Sequence, residues 1–206
     1  MLFRSSAPVS GSISTSATAQ PLGNTGSCIA LPAALREIVA SADNEMHDPV
    51  FPNGCAVAEV EIDPETGALA LTRYSAVDDV GRCINPLIVH GQTHGAIAQG
   101  VGQALLEQCF LDPASGQPLS GSLMDYALPR ADALPSFGTE IAEVLSPTNP
   151  LGIKAGGEGG TTPALAVVTS AILDALRPLG VKDIAMPATP FTIWRAIRAA
   201  SRVDES

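Results

Sequence analysis

Positive charge is scarce in this chain. Its 206 residues carry 11 Lys and Arg against 21 Asp and Glu, a formal net charge of −10 at pH 7. Such a surface repels nucleic-acid phosphates and anionic lipid headgroups, so the sequence-independent attraction that both kinds of binding use is missing. Cysteine is sparse as well. Cys28, Cys55, Cys83 and Cys109 lie far apart, with no Cys-x-x-Cys pair and no histidine at zinc-ligand spacing. Reduced, mostly buried thiols are expected, and no metal ligands. No apolar run approaches the ~20 residues that cross a bilayer. The start, Met1-Leu2-Phe3-Arg4-Ser5-Ser6, passes into Ser, Thr and Gly without the apolar core of a secretory signal. A soluble, cytoplasmic protein of one or two compact units is expected, with 46% hydrophobic residues to build them.

Residues 5–27, rich in Ser, Thr, Gly and Pro, show no period and read as an irregular lead-in. A short helix is expected from Pro32 to Ser41, then an irregular stretch through Asn44, His47, Pro49 and Pro52. Beyond it the pattern sharpens. Ala56, Ala58, Val60 and Ile62 alternate with polar neighbours, the period of a half-buried strand. Asp63-Pro64-Glu65-Thr66-Gly67 supplies a hairpin turn and Leu69 to Val77 the return strand; the same turn grammar recurs at Asp112-Pro113-Ala114-Ser115-Gly116. His94 to Leu106 reads as a helix with Ile97, Val101 and Leu105 on one stripe, despite Gly95, Gly100 and Gly102. Gly138 to Leu145 reads as a strand. Leu165, Val168, Ile172 and Leu176 recur at helical spacing, with Thr161 or Thr162 as the expected N-cap and Pro163 at the first helical position. A last helix starts at Pro190, capped by Thr189, with Phe191, Trp194 and Ile197 facing inward. Strands and helices mix without βαβ regularity, which favours an α+β fold.

The segment Gly152-Ile153-Lys154-Ala155-Gly156-Gly157-Glu158-Gly159-Gly160-Thr161-Thr162 sets one carboxylate among glycines ahead of a helix. Glycine removes bulk and permits positive φ, so a planar or anionic ligand could approach the backbone there. Three readings stay open at this stage: a catalytic base, a bystander in an anion-binding loop, and an exposed carboxylate without a role. The loop lacks the Gly-Lys-Ser/Thr ending of a P-loop and does not match the Gly-x-Gly-x-x-Gly dinucleotide pattern. His90 and His94 share a helical face, but Gly91-Gln92 replaces the Glu-x of a His-Glu-x-x-His metalloprotease, so capping, surface exposure or a core hydrogen bond is the simpler account. Gln99 places an amide on an otherwise apolar face. Asp78, Asp79, Arg82 and Asn85, and likewise Asp125 and Arg130, read as structural junctions.

Four ordered motifs carry a resemblance. They are Val77-Asp78-Asp79-Val80-Gly81-Arg82-Cys83-Ile84-Asn85-Pro86, Gly91-Gln92-Thr93-His94-Gly95-Ala96-Ile97-Ala98-Gln99-Gly100, Met124-Asp125-Tyr126-Ala127-Leu128-Pro129-Arg130 and the Glu158 loop. From about Phe51 to Ala199 the chain resembles the C-terminal part of the molybdenum-binding large subunit of xanthine dehydrogenase, aldehyde oxidase and carbon monoxide dehydrogenase type enzymes. Residues 1–48 carry no such likeness, so a division into 1–48 and 49–206 is expected. The resemblance implies Glu158 as the catalytic glutamate, a proton acceptor in oxidative hydroxylation of an aldehyde, an N-heterocycle or carbon monoxide. It implies Gln99, Lys154, Gly156 and Gly157 as contacts of a molybdenum-molybdopterin, in its cytosine dinucleotide form, with no protein metal ligand. It also implies partners: the upstream part of the large subunit, an iron-sulfur subunit and an FAD subunit. Ala56 stands where the family often has His, and Gly156-Gly157-Glu158-Gly159-Gly160 where Gly-Val-Gly-Glu-Ala-Gly is commoner. A split subunit or C-terminal segment is the leading expectation. The alternatives are a non-catalytic remnant or assembly module, and a stand-alone anion-binding domain.

Overall fold

The computed structural model describes residues 13–18, 37–42, 50 and 52–203, and its contacts divide the chain into Met1–Pro49 and Val50–Ser206. In the first unit β1 (Ile13–Thr18) pairs antiparallel with β2 (Glu37–Ala42), Ile13 opposite Ala42 and Thr18 opposite Glu37. The lead-in therefore contains a strand, and the second half of the expected Pro32–Ser41 helix is extended. Adjacent β-branched Ile38 and Val39, facing a Thr/Ser/Ile strand, favour that outcome.

The second unit is built on a mixed sheet of order β3-β4-β5. β3 (Asn53–Ile62) and β4 (Leu69–Asp79) form the expected antiparallel hairpin, with a bulge at Glu59/Val60. Their turn closes through Asp63, whose carboxylate accepts from the Glu65 amide and the Thr66 hydroxyl. Gly67 adopts φ 73°, and a Cβ there would lie 2.0 Å from Pro190 O, so the turn also seats a later helix. β5 (Phe137–Ile141) runs parallel to β4. It ends four residues before the expected Leu145.

α1 (Pro86–Leu105) begins eight residues ahead of the expected start at His94. Asn85 is its N-cap, accepting from the Ile88 amide at 3.4 Å, and Pro86 takes the first turn, where no amide is needed. α2 (Thr161–Leu176) lies against α1 and β3, and α3 (Pro190–Val203) closes the chain with the Thr189 hydroxyl accepting from the Thr192 amide. Tyr74, Ile97, Val101, Val168, Ile172 and Ile193 form the centre of one core. Gly100 lets α1 and α2 touch: a Cβ there would lie 2.6 Å from the Ala164 Cβ. On α3 the inward residues are Ile193 and Ile197. Phe191 is exposed instead, stacked on half-buried Trp194 at 6.2 Å. Thr161–Leu179 is long and apolar enough to cross a bilayer, contrary to the expectation of no such run. Its stripe of Ala164, Val168, Ile172 and Leu176 is fully buried, as suits a core helix.

The thiols also differ from expectation. Cys55 and Cys109 are exposed and Cys83 is half-buried, none of them in a disulfide, while Cys28 lies outside the described residues.

Candidate functional site

Asp78 and Asp79 end β4 and are both buried, though nothing in their sequence neighbourhood separates them. Asp79 Oδ1 accepts from the Gly81 amide at 2.8 Å and the Val144 amide at 3.2 Å, and Oδ2 takes the Lys154 ammonium at 2.5 Å. Burial alone would raise its pKa, but the bonds from Lys154, Gly81 and Val144 outweigh it and hold the carboxyl below its ordinary value. This knot fixes one flank of the Glu158 loop. Val80 O accepts from the Lys154 amide, Gly81 bridges Ile153, and Gly152 O accepts from the Arg82 amide. Gly81 (φ 66°) permits the approach, since a Cβ on it would meet Gly152 O at 2.2 Å.

The other flank is α2. Gly160 is its N-cap, in place of the expected threonines, and provides no side-chain bond. Thr161 Oγ1 instead donates to Ala96 O at 3.1 Å, and the Thr162 amide donates to Glu158 O at 3.2 Å. From α1, the Gln92 side-chain amide donates to Gly157 O at 2.8 Å. The loop is thus held by α1, α2 and the end of β4.

Within it Glu158 is exposed, and among the described residues its carboxylate has no hydrogen bond or ion pair. The glycines around it serve closeness rather than φ. Only Gly152 of this motif has positive φ (69°). A Cβ on Gly156 would press on Val80 at 2.8 Å, and one on Gly160 on Thr93 O at 2.6 Å, whereas Gly157 faces open space. Gly91 and Gly95 also have nothing within 4 Å of a Cβ, so the exposed side of α1 next to Gln92 is flat and bare.

The expected site residues separate accordingly. Gly156, Gly157 and Glu158 stay together. Lys154 is turned away from them: its ammonium is buried against Asp79, so it offers no cation to a ligand or to Glu158. Gln99 is exposed on α1, two turns beyond Gln92, and it is Gln92 that reaches the loop. The Gln92 amide was legible in the same motif, but only the fold says which of two glutamines seven residues apart meets Gly157. His90 Nδ1 and His94 Nε2 both bond Thr139 Oγ1, at 2.9 and 3.0 Å, and so join α1 to β5. A shallow concavity of about 370 Å³ lies elsewhere, over the outer sheet face at Cys55, Val57, Ser75, Val77, Gly138 and Glu140. No acid-base pair or ligand-binding cluster lines it, so the loop remains the better candidate.

Exposed glycines on α1, the Gln92 amide and an unpaired acid on a pinned loop would suit one edge of a planar, hydrogen-bonding ligand. The chain belongs to the molybdopterin cofactor-binding domain family, whose model matches residues 12–135. That match takes in Gln92 and Gln99, ends before the Glu158 loop, and begins inside the segment for which the motifs carried no likeness. The chain is 41% identical over 157 residues, 75% of its length, to the gamma subunit of the 6-hydroxypseudooxynicotine dehydrogenase complex of Paenarthrobacter nicotinovorans, covering 19% of that protein. It is 35% identical over 148 residues, 72% of its length, to the carbon monoxide dehydrogenase large chain of Hydrogenophaga pseudoflava, covering 18% of it. Among solved structures it superposes on quinoline 2-oxidoreductase from Pseudomonas putida 86 with a TM-score of 0.73 and 42% identity, over 80% of this chain and 21% of that one. The α+β expectation stands with these neighbours. This chain spans about a fifth of the length of the relatives it matches.

Proposed function

We propose that the chain is a C-terminal segment or split subunit of a molybdenum hydroxylase, supplying Glu158 as the proton acceptor and one edge of the molybdopterin pocket. The observation that carries this reading is the contrast at the loop. Its flanks are fixed by Asp79, Gln92 and α2, yet its one carboxylate is unengaged and open to an incoming group. Such an acid is available to take a proton, and the pinned backbone spares it the reorganisation that slows a mobile base. When bound, molybdopterin supplies the redox chemistry of the family. This chain's part is orientation and proton handling. Gln92, Gly157 and Gln99 would contact the group through amide and backbone, and Glu158 would hold the proton.

The other pieces belong to the same proposal: the cytosine dinucleotide form of the cofactor, the upstream part of the large subunit, iron-sulfur and FAD partner subunits, and a cytoplasmic location. The relatives include proteins named for 6-hydroxypseudooxynicotine, for quinoline and for carbon monoxide, in keeping with a substrate that is an N-heterocycle, an aldehyde or carbon monoxide.

The test is co-expression of this chain with the upstream part and partner subunits, followed by molybdenum analysis and turnover. Glu158→Gln should leave the metal content unchanged and lower kcat by roughly 10²-fold or more, the usual loss when a general base is removed. Assembly with full metal content and undiminished turnover in Glu158→Gln would refute the assignment. Failure to incorporate molybdenum with any upstream partner would favour an assembly module without catalysis.

A further inference from the structure

The two acids that end β4 have opposite surroundings. Asp79 is satisfied by two amides and an ammonium. Asp78, only 9% exposed, has one side-chain partner among the described residues: Thr93 Oγ1 lies 3.5 Å from its Oδ2, the outer limit of a hydrogen bond. Its carboxyl lies beside two glycines, tightly at Gly54 and at ordinary contact distance at Gly159. A Cβ on Gly54 of β3 would stand 2.7 Å from Asp78 Oδ1, and one on Gly159, the residue after Glu158, 3.6 Å from Cγ and Oδ1. One pleat pair back on the same strand, Tyr74 is fully buried with its hydroxyl unpartnered. Of the two groups, Asp78 lies beside Gly159 of the loop and Tyr74 sits in the hydrophobic core behind it.

We propose that Asp78 is the positioning residue of this loop: its carboxyl is the seat of the Gly159 backbone, and through that seat it sets where Glu158 stands. The functional meaning of the seat rests on the reading of Glu158 above. Its geometry does not.

The surroundings favour the protonated carboxyl more than water does. A carboxylate has room for about four hydrogen bonds, and here one marginal contact is made. From β4, Tyr74 is the ionisable neighbour, and the Asp78 charge raises it further after burial has done so, to about 12. From α1, Thr93 faces Asp78, while His90 and His94 turn to Thr139. Lys154 is taken by Asp79, Glu140 of β5 lines the opposite sheet face, and Glu158 projects outward. Among the described residues no cation pairs with Asp78. Burial raises its pKa, and the Thr93 bond offsets this only in part. A neutral acid fills the slot without an unpaired charge, whereas ionisation would draw water or donors toward it and disturb the glycine resting on it.

The experiment uses the whole 206-residue chain and amide hydrogen exchange, which needs no molybdenum. Asp78→Asn keeps the shape of the neutral acid, Asp78→Ala empties the seat, and Asp78→Glu forces a methylene against the two glycines. At pH below the raised Asp78 pKa, Asn should leave exchange at Gly156–Gly160 close to that of the wild type. Ala and Glu should speed it roughly tenfold, while Val168 and Ile172 in α2 keep their protection. In the wild type, after correction for intrinsic exchange, loop protection should step down as pH rises through the raised Asp78 pKa, and Asn should abolish that step. Equal loop exchange in all three variants, a loosening of α2 as large as that of the loop, or a pH step that survives in Asn would each overturn the proposal. If the exchange results hold while Glu158→Gln leaves turnover intact in the assembled enzyme, the catalytic reading fails and the seat stands.

Discussion

Asp78 and Asp79 are adjacent in sequence and opposite in their effect on stability. Native Asp79 gives up its proton more readily than in the unfolded chain, so its contribution is present above the ordinary carboxylate pKa and fades as pH falls through the lowered value. Native Asp78 holds its proton longer. In the window between its ordinary and its raised pKa the unfolded state binds fewer protons, and stability falls as pH rises. Asp78→Asn should therefore remove that fall within the window and raise the thermal midpoint above it, as followed by circular dichroism. Lys154→Met leaves Asp79 buried without its cation. Removing one partner of a buried pair costs about 3–5 kcal/mol, and urea titration should show the loss. Little of this was legible in the sequence. The carboxylates could be counted, but the pairing of Asp79 with a lysine 75 residues away is a product of the fold.

At the scale of elements, the glycines divide into those that are filled and those that are bare. Gly81 lies at positive φ against Gly152 O, so Gly81→Ala should break the bridge that carries the loop and destabilise the chain. Gly91 meets nothing, and Gly91→Ala should stabilise α1, and with it the chain, by about 1 kcal/mol. Opposite shifts in the denaturation midpoint would bear this out. Signals confined to a few neighbouring residues could be read from sequence. The β3–β4 hairpin announces itself through period-two alternation and an Asp-Pro-x-x-Gly turn, and α3 through Thr189-Pro190. The first two turns of α1 were hidden because Gly91 and Gly95 break the apolar stripe, although Asn85-Pro86 was the cap signal. The Glu158 loop was legible as a motif, but its glycines serve contact with Val80, Asp78 and Thr93, which no local pattern reveals.

On the scale of the second unit as a whole, apolar surface is left uncovered. Leu87 is 82% exposed, Leu123 78% and Met124 94%, with Ile84 and Ile88 close behind. Large apolar side chains this exposed are the kind found on surfaces that other polypeptide covers. The purified chain should bind a hydrophobic dye and self-associate in size-exclusion chromatography, and co-expression with the upstream part should suppress both. Unchanged dye binding in the co-purified complex would separate this surface from the proposed partner.

The parallel seam between β4 and β5 also sets a timetable for synthesis. β4 is complete at Asp79 and its neighbour begins only at Phe137, so about sixty residues must leave the ribosome before that edge is occupied. At roughly 5–20 residues per second this takes several seconds. Until then the nascent chain presents an open strand edge, and the carboxylate at Glu158, further downstream still, is among the last groups to reach its place.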